Sequence, residues 1–591
     1  MRSDAQTRRD GRPYGGDGPH GGGPQTKDTH TRRKLMFINE VFDVRDLRDV
    51  ELDRAVDIGR FFPLNPNIKI LVVVDTEIDL DLGAGSFGVG RVVQLLRNTS
   101  VGCTSFTVDI AIRDPQPFSD NANPAVGQAR YRGFRFDSMA AGGAPVIDGY
   151  HELFLFGFKP NNFGSTNDAV IDDPNYIPAT NAELSVLEAF MRERKGGVFG
   201  TGDHHFLGAS MCRRIPRLGT MRRWTNADNV PTFLGNTRLD TNQPANAAQA
   251  GGAFVPRDVE RDAVPQPIQW IAHRRIGGGL IRRVLPHPIL CHPTHGPIDV
   301  MPDHPHEGRV RTAAEINLNA TYDFGTGTHD EYPNVGGSRL EPQVIAWGNT
   351  TPDPPLNHDK GEQPAVRFPM IGVYDGHQAD IGRVVTDSTW HHWMNLNLTG
   401  IEADADQTNW DKISRYFINI ATWLAPPGVF RSRCWWELAV TNFTAVGLQE
   451  FSPKATTFEV GSALRGHLMR TYGPCWVQQF VIDIVHEIDR DLARFLEGLQ
   501  GVGPGDVCLS CPPWETIEAE ILGGLVKGSR APIERFGKAF DAVDFSDRRR
   551  RFDLSTEDLR NAGMKGAARS LKGLSRDVTR DARQVLKAFG G

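Results

Sequence analysis

The stretch Gly196-Gly-Val-Phe-Gly-Thr-Gly-Asp-His-His-Phe-Leu-Gly-Ala209 decides the fold. Val198 and Phe199 read as a short buried strand that ends in glycines. Asp203, His204 and His205 follow, and then the start of a helix. Ahead of the strand, Thr180-Asn-Ala-Glu183 has the form of a capping box, and Leu184, Leu187 and Met191 recur at helical spacing. Gly196 falls where a left-handed C-terminal cap is needed. Helix, glycine stop, apolar strand and glycine-rich turn make one αβ unit of a parallel sheet. In open α/β sheets, ligands bind at the carboxyl ends of the strands, so an Asp-His-His at such an end is a candidate site. A plainer reading stands beside it: Asp203 caps the next helix and the histidines are solvated.

The segments around this unit read the same way. Ile68-Lys-Ile-Leu-Val-Val-Val74 is a continuous β-branched run, as expected of a strand covered on both faces, and it ends in Asp75 and Glu77. Further strands are expected at Ser105–Ile112, Leu153–Phe158, Gln343–Trp347, Pro369–Tyr374 and Gly382–Thr386. The last runs into Asp387-Ser-Thr-Trp-His-His-Trp393. A helix from Thr408 carries Trp410, Ile413, Phe417, Ile420 and Leu424 on one face and ends at Pro426-Pro427. The fold class is therefore α/β, a mostly parallel sheet with helices on both faces. Gly83-Ala-Gly-Ser-Phe-Gly88 matches G-x-G-x-x-G, but it does not follow the strand directly and acidic residues intervene. It reads as a loop over the site, and no nucleotide is expected.

The 591 residues, 39% apolar and 23% charged, describe a globular chain of several domain-sized pieces. Residues 1–33 are a Gly- and Arg-rich tail expected to be disordered. The α/β domain spans 34–427 with an inserted subdomain at 213–341, since so long a structureless loop is improbable. Residues 428–591 read as mainly helical, with an apolar stripe from Trp476 to Leu499, shorter helices at 513–526 and 531–543 separated by glycines, and a basic tail from Arg548. A net charge of −6 implies no general attraction to nucleic acid, and basic residues along a helix usually form a solvated face. The helical region is instead a candidate for protein partners or oligomerisation. No run of eighteen apolar residues suggests a membrane span. The seven cysteines are odd in number and scattered, which favours reduced thiols and a cytoplasmic setting. Cys508-Leu-Ser-Cys511 lacks the setting of a redox or zinc motif.

Strand Leu153–Phe158, the capped helix and the strand-turn Val198–Gly208 together resemble the class I glutamine amidotransferase-like superfamily. Within it, Gly382-Arg-Val-Val-Thr-Asp-Ser-Thr-Trp-His-His392 and the Trp-bearing helix after it look like the ThuA-like (trehalose-utilisation) branch. The resemblance covers roughly 67–427 apart from the insertion, and it implies a doubly wound sheet. It also implies a cysteine nucleophile in the turn after the central strand, but here Gly202 occupies that position and no neighbour is Cys or Ser. Attack by a thiolate needs the thiol at the tip of that turn beside a base, so glutamine hydrolysis by the usual route is not expected.

Three strand ends then meet: Asp75 with Glu77; Asp203 with His204 and His205; Asp387 with His391 and His392. Carboxylates with imidazoles serve general acid–base catalysis and also bind zinc, iron or manganese. In the insertion, His304 and His306 flank Pro305 and point to one side of an extended segment that continues to Glu307. A second cluster is Cys291, His292 and His295, and His273, His287 and His329 lie nearby in sequence. The expected function is a metal-assisted or acid–base hydrolase of a small polar substrate, with the insertion as lid. The alternative is a catalytically silent ligand-binding or scaffold module, its histidines packed by Trp390 and Trp393.

Overall fold

The computed structural model describes residues 67–80, 86–102, 104–160, 177–203, 207–224, 265–278, 281–302, 308–349, 366–429, 455–499, 514–541 and 556–589. The tail 1–33, His204, His205, His304, His306, Glu307, Cys508, Cys511 and the arginines at 548–551 lie outside the described residues. Contacts divide the chain into Met1–Val56 and Asp57–Gly591, and everything below concerns the second unit.

The main elements are β1 (Asn67–Val74), α1 (Gly90–Asn98), β2 (Thr104–Ile112), β3 (Glu152–Phe156), α2 (Asn181–Arg192), β4 (Gly197–Thr201), β5 (Gln343–Asn349), β6 (Arg367–Tyr374), β7 (Val384–Asp387), α3 (Asn395–Glu402) and α4 (Thr408–Trp423). They build one 11-stranded sheet, whose long strands run in the order β2-β1-β3-β4-β7-β6-β5. From β2 to β7 the pairing is parallel. β6 and β5 add on in antiparallel fashion, as does Gln269–Trp270 from the insertion at the edge. The sheet is thus mixed, mostly parallel in its middle, with β4 in its interior. Alternate residues of β1 face two apolar clusters. Ile68, Ile70, Val72 and Val74 pack with α1 and α4, while Leu71 and Val73 pack with α2 and the turn around Leu218. A strand covered on both faces reads as a near-continuous apolar run, and here only Lys69, which is exposed, interrupts it.

The capping box at α2 forms, with Thr180 Oγ1 accepting the Glu183 N–H at 3.3 Å. Glu183 also reaches beyond its own helix, for it is buried against Arg113 and accepts the Phe136 N–H at 3.1 Å. The positive φ after α2 belongs to Lys195 (57°), not to Gly196. Gly196 is needed for room instead, since a Cβ there would meet the Phe190 ring at 2.1 Å.

In its described parts the insertion is a series of short antiparallel hairpins, among them Arg274–Gly278 with Ile281–Leu285 and Cys291–His292 with Gly296–Pro297. The C-terminal region forms α5 (Thr457–Tyr472), α6 (Pro474–Ile488), α7 (Arg490–Leu499), α8 (Trp514–Asp541) and α9 (Thr556–Phe589). Two readings are corrected here. The stripe from Trp476 to Leu499 is broken at Asp489, whose Oδ1 accepts the Asp491 and Leu492 N–H groups at 3.0 Å and so begins α7. The helices expected at 513–526 and 531–543 are one helix with Pro532 inside it. Gly528, between the two expected helices, is a contact point, as is Gly523 within the first: a Cβ on Gly528 would lie 2.4 Å from Ala562 O, and one on Gly523 1.8 Å from Thr457 O.

Candidate functional site

Asp75, Asp203 and Asp387 all stand at carboxyl ends of parallel strands, β4 and β7 being neighbours and β1 separated from β4 by β3, and each is buried. Their surroundings differ. The Asp75 carboxylate accepts the Phe158 N–H at 2.6 Å and the Lys159 N–H at 3.1 Å. Burial nonetheless dominates and pushes its pKa up to about 6. Glu77, two residues on, faces outward and pairs with Arg132 at 2.8 Å. Only the first of the two acidic groups at this strand end turns inward.

Asp387 and His392 form a closed group with no exposed surface. His392 Nδ1 lies 2.8 Å from Asp387 Oδ1, and its Nε2 lies 3.3 Å from Gln266 Nε2. With Nδ1 as donor and Nε2 accepting from the amide, the ring is neutral and both nitrogens are engaged. Asp387 Oδ2 accepts from Tyr416 Oη at 2.9 Å and Trp393 Nε1 at 3.3 Å. Trp393 packs at a tilt against Phe199 (4.4 Å between ring centres) and Phe417 (4.6 Å) in the core. This half of the histidine pair anchors the turn after β7.

His391 turns the other way. The pair sits on a short 3-10 turn, Trp390–Trp393, in which successive side chains diverge by about 120°. Thr389 Oγ1 begins that turn by accepting the His391 N–H at 3.0 Å. His391 Nε2 faces Asp203 Oδ2 at 3.5 Å, while Nδ1 lies 3.0 Å from Asn397 Oδ1. With Nδ1–H given to Asn397, Nε2 is the nitrogen turned to the Asp203 carboxylate. A carboxylate and an imidazole placed in this way are the groups that acid–base chemistry uses. Trp390 lies beside the imidazole (3.9 Å between ring centres), and Phe87, 39% exposed, covers both rings. Phe87 belongs to the glycine-rich segment expected to lie over the site. Asn395 holds that segment by donating to Gly88 O at 2.7 Å and to Ser86 Oγ at 2.8 Å.

Residues that the sequence reading passed over hold the site together. Arg222, fully buried at the start of the insertion, donates to the backbone carbonyls of Asp203 (3.2 Å), Asp387 (3.1 Å) and Ser388 (2.6 Å). Its guanidinium lies over the Trp224 ring at 4.5 Å. Asn397, Tyr416 and Gln266 complete the two histidine environments. Asn397 and Tyr416 are polar residues at buried helical positions, which was the one available signal; Gln266 and Arg222, in irregular segments, gave none.

The other histidines have local roles. His287 Nδ1 accepts the Ile289 N–H at 3.3 Å, and burial pulls its pKa well below the ordinary value. His292 Nδ1 accepts the His295 N–H at 3.0 Å, and burial holds its pKa near 4. His273 packs on His287, and His329 lies 3.1 Å from Arg192. Among the described residues no group of three His, Cys, Asp or Glu side chains converges as a metal would require. Asp203 and His391 offer two donors; the further candidates 204, 205, 304, 306 and 307 lie outside the described residues. The residues flanking 303–307 are both tied to this neighbourhood. Pro302 O accepts from Gln266 Nε2 at 3.0 Å, and the Gly308 N–H donates to Ser388 O at 3.1 Å.

Among the described residues no helix is long and apolar enough to cross a membrane. Comparison with protein-family models, with curated proteins and with solved structures gave no match in any of the three.

Proposed function

We propose that the chain is an acid–base hydrolase of a small polar substrate, on a doubly wound sheet like that of the glutamine amidotransferase-like, ThuA-like proteins but without their cysteine nucleophile. The observation that carries this reading is the Asp203–His391 pair, 3.5 Å apart at the carboxyl ends of parallel strands, with the second imidazole nitrogen fixed by Asn397. Asp203 accepts a proton from the attacking water, and the imidazolium of His391 returns one to the leaving group. Burial strengthens both interactions by lowering the local dielectric. His391 and Asp203 would supply two ligands to a zinc, iron or manganese ion if residues from 204–205 or 303–307 supply the rest; such an ion would lower the pKa of a bound water. Cys212 is unsuited to replace the missing nucleophile, because burial pushes its thiol far above the ordinary range.

A silent ligand-binding module is the second reading, favoured by the cover of Phe87 and Trp390 over a His391 that is only 4% exposed. The test is hydrolysis of a panel of small esters, amides and glycosides by wild type, Asp203→Asn, His391→Gln and His392→Gln, with unfolding midpoints for each. Hydrolysis lost about 100-fold or more in the first two, with unchanged midpoints, is the expected outcome. Hydrolysis indifferent to both substitutions refutes the dyad. Binding of panel members without turnover selects the second reading.

A further inference from the structure

Cys291 and Cys475 come from distant parts of the chain and meet in the interior. Cys291 opens the two-residue strand Cys291–His292 of the insertion, and Cys475 is the second residue of the 15-residue helix α6. Both are free thiols, 1% and 2% exposed. Their thiol groups are hydrogen-bonded to each other, and the Cys475 backbone N–H points at the Cys291 sulfur. That N–H is one of the donors a helix leaves unpaired in its first turn, so the Cys291 sulfur sits at the positive end of α6.

The surroundings hold this contact in register. Gly473, at φ 93°, precedes α6, and a Cβ there would lie 2.9 Å from Cys291 Sγ, so the helix start is packed directly on the sulfur. Asn419 of α4 binds both sides: its Nδ2 donates to Cys291 O at 2.9 Å and Ile289 O at 3.1 Å, and its Oδ1 accepts from Trp476 Nε1 at 3.3 Å. The hydrogen bond from the Cys475 thiol, more than any other influence, lowers the Cys291 pKa, while burial pushes Cys475 up. Cys212 has no such donors, and its pKa is raised by burial. Of the two thiols, Cys291 is therefore the one more readily ionised, with Cys475 beside it, the arrangement of an attacking and a resolving cysteine.

We propose that Cys291 and Cys475 are a redox pair, in which a small peroxide oxidises Cys291 and Cys475 then closes a disulfide that ties the insertion to α6. In the first step the Cys291 thiolate attacks a peroxide oxygen, the O–O bond breaks, and a sulfenic acid and water result once the leaving oxygen is protonated. In the second, the Cys475 sulfur gives up its proton and attacks the Cys291 sulfur. The S–S bond forms, the S–O bond breaks, and a second water leaves. Two electrons pass from the thiols to the peroxide, and a reducing dithiol reverses the bridge by exchange. Gly473, two residues before Cys475, already packs on the Cys291 sulfur, so both cysteines lie at one contact between the insertion and α6. The redox pair stands apart from the acid–base reading and depends on none of its residues.

The test treats the reduced full-length protein with hydrogen peroxide, quenches by alkylation in denaturant, and maps unreduced peptides by mass spectrometry. The expected product is a peptide pair joined through Cys291 and Cys475, lighter by two hydrogens and released by dithiothreitol. It should form about tenfold or more faster than any oxidation of Cys212. In Cys475→Ser a sulfenic acid at Cys291 should become trappable by dimedone, and in Cys291→Ser the Cys475 thiol should stay reduced. The proposal is overturned if both thiols remain alkylatable when Cys212 has reacted, if either pairs instead with another cysteine, or if Cys475 oxidises as fast without Cys291. The wild-type measurement alone decides the first two outcomes, whatever the stability of the variants.

Discussion

Gly202→Ala should harm the protein more than Gly200→Ala, although the two positions are neighbours on the same strand-turn. At Gly202 an added Cβ would lie 1.9 Å from Leu207 O and 2.9 Å from Trp224 Cζ3. At Gly200 it would lie 2.4 Å from Leu218 Cδ2, the far end of a side chain that can turn. Restoring a contact of about 3.5 Å at Gly202 requires the backbone of the turn to recede by roughly 1.6 Å. That movement breaks the bond from the Asp203 N–H to Leu207 O, 3.1 Å long, and carries Asp203 away from His391. The lost hydrogen bond costs about 1 kcal/mol and the overpacking about 1–3 kcal/mol, against roughly 0.5–1 kcal/mol gained because alanine restricts the unfolded chain. The net loss is about 1–3.5 kcal/mol for Gly202→Ala and about 1 kcal/mol less for Gly200→Ala, where no backbone bond breaks. Urea denaturation of the two variants and wild type, followed by tryptophan fluorescence, measures the difference. A Gly202→Ala protein as stable as Gly200→Ala would refute the steric argument. The same Cβ bars a cysteine, so Gly202→Cys should not restore a glutaminase.

The closed group around Asp387 should answer to stability rather than to activity. Tyr416→Phe removes one buried hydrogen bond to a carboxylate and should cost about 1.5–3 kcal/mol, with any hydrolytic activity retained below the unfolding transition; an unchanged midpoint would count against the bond. His392→Ala leaves Asp387 short of a partner and opens a cavity, for an expected loss of about 3 kcal/mol or more by the same measurement. Asp75 gives a pH signature. Its folded pKa of about 6 lies above the ordinary 3.8, so the folded state binds the extra proton and stability falls as pH rises through that window. The loss approaches about 3 kcal/mol and levels off above pH 6. Asp75→Asn should flatten this stretch of a melting-temperature profile, and a profile unchanged by the substitution would contradict it.

The parts of the fold legible in the sequence were those governed by local rules. The run from Ile68 to Val74, the Thr180–Glu183 box and the Gly-Thr-Gly turn after Phe199 each carry their meaning within a few residues. The helical region was read less well for a physical reason: Gly523 and Gly528 break a helix by propensity, yet serve one by letting α5 and α9 approach. At the site, adjacency of His391 and His392 suggested a shared role. Which ring meets Asp203 and which meets Asp387 depends on the sense of a short turn and on Asn397, Gln266 and Tyr416, partners that no spacing in the sequence connects.

Arg222 makes the insertion something other than an accessory. It lies within 213–341, yet its guanidinium gathers the carbonyls at the ends of both β4 and β7, and Gln266, from the same segment, completes His392. A trimmed chain with 213–341 replaced by a short linker would keep every long strand from β1 to β7. It would leave three strand-end carbonyls without their shared donor and one buried imidazole without its amide. The turns bearing Asp203 and Asp387 would keep their direct ties, Trp390 N–H to Gly202 O at 2.9 Å and Thr201 Oγ1 to Asp387 O at 3.2 Å, but lose the donor they share. A minimal version of the sheet without its insertion would keep the strands and lose the buried polar contacts that fix the two turns.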